Sequence, residues 1–282
     1  MWKMSFHTRS FMFHHRDDVY VSAEKIAGFG YEAIEICRPH LNQLLGEAIS
    51  SADRRAFRDR ISGYGLEIAA ISGHASVGHG DPERRKAEIE SYKRALDFAA
   101  DVGAPIVNTL GKWTPPRVTT FGQMDWSPQL TPAQHAQLIE RGQPEAHRQL
   151  IMDVIGDLAE YAESRGTCVG LEDFDPGPRA FWANLIREIN SPALWMNMQC
   201  LYGETPGEAI RKRRDVVKHF HLLPPQEGYG YSGWSRGEYI DFINALREIG
   251  YRGYFQIEEH SNLDPDVTCP QIFDYFRRLG VS

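Results

Sequence analysis

The sequence predicts an α/β protein of one domain, a closed (β/α)8 barrel. Three observations carry that expectation. Short apolar runs alternate with longer amphipathic stretches along the whole chain. Eight of each can be laid out in strict alternation. The length of 282 residues is what a barrel of about 250 residues plus rim insertions needs. An open doubly wound sheet is the runner-up, because strand order is not readable from one sequence.

In chain order, the first strand is expected at 4–7, followed by a helix at 19–27. The second strand, Ala-Ile-Glu-Ile-Cys at 33–37, leads to a helix at 51–64, and the third, at 68–72, to one at 82–102. The fourth strand at 106–110 is separated from its helix, 144–165, by an insertion. Strands at 168–174, 194–200, 216–222 and 253–258 then precede helices at 180–189, 205–213, 237–249 and 266–279. Gly65, Gly103, Gly166 and Gly250 each follow a last helical turn, where a positive φ is wanted, and Pro82 and Pro144 stand at helix starts.

Two insertions break the rhythm. Residues 111–143 carry four prolines with Trp113, Phe121 and Trp126, and residues 224–235 are rich in Gly and aromatics. Both follow strands, so both are expected at the C-terminal rim of a barrel, where active sites are built. The first reads as a lid or a partner-contact arm.

Composition narrows the function. A formal charge of −7, with 42% hydrophobic residues, describes a globular chain with a large core and opposes nucleic-acid binding. The cluster Arg211-Lys-Arg-Arg214 reads as a solvated helix terminus, where cations meet the negative end of the dipole. No apolar run approaches the roughly 18 residues of a membrane span, and the N-terminus lacks the apolar region of a signal peptide. Cys37, Cys168, Cys200 and Cys269 lie far apart and read as separate thiols. The cytoplasm is the expected location, and a homo-oligomer is left open. No GxGxxG follows directly on a strand, and no P-loop or GxSxG elbow occurs, which disfavours nicotinamide, ATP and serine-hydrolase chemistry.

Polar residues at strand ends are the informative ones, because burying them there is costly unless a metal or substrate compensates. The fifth strand ends in Glu172, the sixth in Asn197-Met-Gln199, the seventh in His219-Phe-His221 and the eighth in Glu258. Two carboxylates, an imidazole and an amide from four successive strands suit a divalent cation with oxygen and nitrogen ligands: Mn, Mg, Co or Zn. Each residue taken singly also has a structural reading, such as a surface Glu or a hydrogen-bonded core His. Elsewhere His7 and Arg9, Glu35 with Arg38 and His40, His74, and Asn108 with Lys112 stand at strand ends. Of these, His74 and Glu35 are favoured as pocket residues.

Four stretches give the chain a resemblance over almost its whole length: Gly30-Tyr-Glu-Ala-Ile-Glu-Ile36, Gly170-Leu-Glu-Asp173, His219-Phe-His221, and Glu248-Ile-Gly-Tyr-Arg-Gly-Tyr-Phe-Gln-Ile-Glu258. It resembles the sugar phosphate isomerase/epimerase group of xylose-isomerase-like TIM barrels, whose relatives include inosose dehydratases, ketose 3-epimerases, hydroxypyruvate isomerases and endonuclease IV. The resemblance implies a metal held by Glu172, Gln199, His221 and Glu258, and substrate contacts from His74, Glu35, Asn108, Lys112, His219 and Tyr202. The family carries Asp and His in a stretch like Asn-x-Asp-x-x-His, where this chain has Asn197-Met-Gln199-Cys-Leu-Tyr202. Replacing Asp by Gln199 removes one negative charge from the ligand set, which lowers affinity and raises Lewis acidity.

The expected activity is a divalent-metal-dependent isomerase or epimerase of a small polyhydroxy carbonyl compound, with Glu172 and Glu258 moving a proton through an enediolate. A lyase or dehydratase on the same scaffold is the alternative, and a metal-free, non-catalytic relative is the third reading.

Overall fold

The computed structural model describes residues 2–12, 18–47, 50–75, 82–110, 117–118, 124–125, 145–172, 180–199, 205–225, 234–259 and 263–281. Its eight long-range strands are β1 Met4–His7, β2 Ala33–Ile36, β3 Glu67–Ser72, β4 Val107–Leu110, β5 Val169–Glu172, β6 Leu194–Gln199, β7 Val217–His221 and β8 Phe255–Ile257. They form one sheet in the order β8-β1-β2-β3-β4-β5-β6-β7. All pairings in it are parallel. The ends meet through a parallel bridge between Leu222 and Ile257, with the Glu258 N–H donating to the Leu222 carbonyl at 2.9 Å. Chain-order pairing with closure of last onto first is the (β/α)8 barrel the sequence predicts, and it rules out the doubly wound alternative.

Helices return the chain after each strand: α1 Val19–Gly28, α2 Arg38–Glu47, α3 Ser51–Gly63, α4 Pro82–Val102, α5 Glu145–Ser164, α6 Ala180–Ile189, α7 Pro206–Lys212, α8 Arg236–Glu248 and α9 Pro265–Arg278. Their starts are chemically explicit. Ser50 and Ser235 each form a capping box with the acid three residues on, Asp53 and Glu238, satisfying two otherwise orphaned N–H groups at each end. The glycines expected at helix ends have φ of 67° to 81°. One helix, α2, falls where the sequence suggests only a strand end. Arg38-Pro39 opens it directly after β2, so Arg38 and His40 lie in its first turn. The Arg211 cluster is also less solvated than expected: Arg211 bridges α7 to Asp241 and Glu248 of α8, and Arg213 is buried against the Ala209 carbonyl.

Alternation along the strands separates two interiors. Phe6, Ile34, Val107, Leu171, Met196, Met198, Phe220 and Phe255 face outward into the main core beneath the helices. Ala70, Ile106, Cys168 and Trp195 form a second, small cluster inside the barrel at the N-terminal ends of the strands. Above that apolar floor the inward positions are polar. Two irregularities adjust the register, one between Ile34 and Glu35 of β2 and one between Met196 and Asn197 of β6. Among the described residues no helix is long and apolar enough to cross a membrane.

The inside of the barrel is filled closely enough that one methyl group is resolvable. A Cβ on Gly170 would lie 2.5 Å from Asn108 Oδ1 and 2.9 Å from Ile106 Cδ1. Gly170→Ala is expected to destabilise the fold by about 1 to 3 kcal/mol through overpacking. Urea unfolding checks this, and a midpoint equal to wild type would contradict the packing.

Candidate active site

Glu172, Gln199 and His221 end β5, β6 and β7, and Glu258 follows β8; all four are buried. The register explains the convergence, since Glu172 pairs with Asn197, Asn197 with His219, and Gln199 with His221. His221 is the hub. Its Nδ1 lies 3.1 Å from Glu258 Oε2, 3.3 Å from Glu172 Oε1 and 2.6 Å from Gln199 Nε2. Glu172 Oε1 also accepts from Asn197 Nδ2 at 3.1 Å and faces His74 Nε2 at 3.2 Å. Glu172 Oε2 and Gln199 Oε1, both buried, have no hydrogen-bond partner among the described residues.

On its other edge, His221 faces Glu35. This carboxylate is fully buried on β2 and is surrounded by donors. Ser72 Oγ and Asn108 Nδ2 each donate to Oε1 at 2.8 Å. His219 Nε2 and His221 Nε2 lie 2.9 and 3.0 Å from Oε2. A carboxylate only accepts, so both Nε2 atoms carry hydrogen. His7 fixes the outer end of the chain: its Nδ1 accepts the Arg9 N–H, so its Nε2–H donates to Ser72 Oγ at 2.9 Å. Ser72 must then pass its own hydrogen to Glu35.

The electrostatics follow from this network. Burial lowers the His7 imidazole to about 3, against the pull of Glu35, so His7 is neutral. Burial alone would raise the Glu35 carboxyl, but the charge of His221 and the hydrogen bonds of His219 and His221 outweigh it and hold Glu35 well below the usual carboxylate range. Burial likewise opposes charge on His221, and Glu35, Glu258 and Glu172 together overcome it, raising the imidazole well above its ordinary value. Three carboxylates thus surround one imidazole.

His74 reaches Glu172 from a backbone with φ of 35°, in the left-handed region. A side chain costs about 1 to 2 kcal/mol there. The turn is held because the N–H groups of Gly73 and His74 both donate to the Asn108 carbonyl, at 2.7 and 3.0 Å. Gly73 has no room for a side chain, since a Cβ would meet Tyr92 and Val107 at 2.7 Å.

Of the residues singled out in the sequence, the structure brings together Glu172, Gln199, His221, Glu258, His74, Glu35, Asn108 and His219. Lys112, Tyr202 and most of the two rim insertions lie outside the described residues. Glu35, Asn108 and His219 sit beneath His221, toward the apolar floor. Three partners lacked a strong signal. Ser72 looks like part of a glycine-flanked turn, Asn197 like a spacer before Gln199, and His7 like any strand-end histidine; only the in-phase polar positions mark them. Glu35, His219 and His221 also present ligand atoms within 4.8 Å of one another, a candidate group for a metal ion.

Comparison with known proteins agrees with the barrel. No curated protein matches the chain. Solved structures do, at low identity. A D-psicose 3-epimerase crystallised in the presence of D-fructose superposes with a TM-score of 0.73 at 16% identity, covering 98% of this chain and 99% of its own. A xylose isomerase-like TIM barrel protein from Mycobacterium smegmatis in complex with magnesium gives 0.70 at 19%, covering 99% and 96%. A probable 3-DHS dehydratase from Bacillus anthracis gives 0.69 at 16%, covering 98% of each chain. The family model of the xylose isomerase-like TIM barrel matches residues 23–279, and with that span the chain belongs to this family.

Proposed function

We propose that the protein is a divalent-metal-dependent isomerase or epimerase of a sugar or related polyhydroxy carbonyl compound. The observation that carries this reading is the pair of buried carboxylates, Glu172 and Glu258, converging on Nδ1 of His221. Such a constellation fits a cation better on the Nδ1 side of His221 than on the Nε2 side. Below the ring, the contacts of Glu35 are all hydrogen-bond donors, so its charge is already answered. Above it, Glu172 Oε2 and the Gln199 carbonyl are buried with no hydrogen-bond partner among the described residues, an arrangement that costs free energy unless a positive group satisfies it. Glu172, Gln199, His221 and Glu258 would hold the ion, with Mn, Mg, Co or Zn compatible with these ligands.

When bound, a divalent cation supplies Lewis acidity to neighbouring substrate oxygens. The chain's own residues supply the rest. Glu35 orients His221 and keeps its hydrogen on Nε2, so that Nδ1 faces upward. One of Glu172 and Glu258 removes the proton from the carbon next to the substrate carbonyl, and the other returns it to the enediolate. His74, within hydrogen-bond reach of Glu172, steadies that carboxylate. Beneath them, Asn108 and His219 act through Glu35 rather than on substrate. We place the activity in the cytoplasm, a reading supported by the free thiols of Cys37, Cys168 and Cys269. Likeness to a dehydratase supports a second reading, in which the enediolate expels a β-hydroxyl as water.

Metal analysis of protein purified without chelator, followed by a screen of ketoses, inososes and sugar acids, tests the reading directly. In calorimetric titrations Gln199→Asp is expected to tighten the metal by adding a charge, and Glu172→Gln to weaken it. Loss of the acceptor in Glu35→Leu should weaken it roughly 10- to 100-fold, the scale for an outer partner of a ligating histidine. Equal affinities across this series contradict the assignment.

For a substrate that turns over, Glu172→Gln and Glu258→Gln should each lower the rate by about 10²-fold or more. In deuterated water, label should enter at the carbon beside the carbonyl; conversion with no label even in partly reacted substrate means a hydride shift or a fully shielded proton relay instead of exchange through the two carboxylates. His74→Gly is expected to keep or raise the melting temperature, by relieving the left-handed strain, while slowing turnover. Wild-type turnover in that variant would separate His74 from the chemistry.

A further inference from the structure

Lys218 owes its direction to the irregularity between β6 and β7. Met196 pairs with Val217 and Asn197 with His219, which leaves Lys218 as the extra residue of a bulge. A bulge re-aims the side chain it carries. The Lys218 amine lies beside Cys168 at the start of β5, Nζ to Sγ 3.0 Å, and 5.1 Å from the centre of the Trp195 ring on β6. Cys168 belongs to the apolar floor of the barrel with Ala70 and Ile106, at the end opposite the carboxylates. Among the described residues no carboxylate lies within ion-pair distance of Lys218, whose amine meets the thiol and the indole ring instead.

The other described thiols are in different surroundings. Burial pushes Cys37 up to about 11 and Cys269 well above its usual range, and their side chains face the hydroxyls of Thr8 and Tyr31. Cys168 is also the most accessible of the three, with 8% exposure against 1% and 0%.

We propose that Cys168 and Lys218 form an oxidation-dependent covalent cross-link, a modification site on the barrel floor distinct from the catalytic end. The oxidant is hydrogen peroxide. The sulfur attacks one peroxide oxygen, an S–O bond forms as the O–O bond breaks, and the products are a sulfenic acid and one water. The neutral Lys218 amine then attacks that sulfur. An N–S bond forms, the S–O bond breaks, and the departing hydroxide takes the amine proton as a second water. Sulfur is oxidised by two electrons, peroxide is reduced to two waters, and the chain loses two hydrogens. A small thiol reverses the link by attacking the sulfur and releasing the amine. The link spans β6, tying β5 to β7 and closing the segment between residues 168 and 218, which restricts the unfolded chain.

The test treats the purified full-length protein with hydrogen peroxide and maps its peptides by mass spectrometry. A joined pair of peptides carrying Cys168 and Lys218, lighter by two hydrogens than their sum and separated by dithiothreitol, is the expected result. The melting temperature of the treated protein should rise by several degrees and fall back on reduction. Lys218→Arg keeps the cation beside Trp195 without a competent amine; in it, Cys168 should accumulate as a sulfenic acid that dimedone captures. A wild-type map with Lys218 free and Cys168 unreacted, or carried on to sulfenic or sulfinic acid, overturns the proposal. That map decides the matter even if the variant does not fold.

Discussion

A negative charge at the centre of the barrel governs the arrangement of everything above it. Glu35 is fully buried, and a carboxylate in that position is tolerated only when each oxygen is met by donors. Ser72, Asn108, His219 and His221 meet it from three other strands. Because those donors come from β3, β4 and β7, the requirement also fixes how the strands are registered. One consequence is directional: satisfying Glu35 commits His221 Nε2 as a donor and turns Nδ1 toward Glu172 and Glu258.

The same logic shows what Gln199 changes. Three carboxylates surround the His221 ring, counting Glu35, and burial works against all of them. An aspartate at position 199 would add a fourth. Gln199 instead brings a dipole, whose Nε2 lies 2.6 Å from His221 Nδ1 while its buried carbonyl has no hydrogen-bond partner among the described residues. With Asp, the site without an ion would carry more uncompensated charge and depend more on the cation for its stability. With Gln, the apo barrel is easier to keep intact, and the cost is a weaker hold on the ion.

Much of this was legible in the residues. Period-two patterning and helix punctuation located every barrel strand to within a few residues, because inward polar positions are bracketed by outward apolar ones, as in Met196-Asn197-Met198-Gln199. Glu172, Gln199, His221 and Glu258 could be picked out because they end successive strands. Helix α2 was not legible, since Arg38-Pro-His-Leu-Asn lacks a clear apolar stripe and its fold depends on packing against β3 and α4. Nor was the direction of the Glu35 network. Ser72, Asn197 and His7 are ordinary strand residues, and only the three-dimensional accounting of donors and acceptors shows that His7 must donate and Ser72 must relay.

Strain and irregularity collect where that accounting is tightest. The register shift in β2 falls at Glu35, the one in β6 and β7 falls just below His219, and the left-handed residue His74 stands opposite Glu172. A regular parallel barrel would space inward side chains evenly and could not gather this many ligating groups around one imidazole. Each irregularity moves one side chain out of the regular layer, and each has a cost. The apolar packing of the outer core, with Phe6, Phe220, Phe242 and Phe255 in mutual edge and face contacts with other rings, supplies the stability that offsets it. Stability and chemistry are thus divided between the two faces of the same strands: the outward residues hold the barrel closed, which lets the inward ones sit in positions that would not hold on their own.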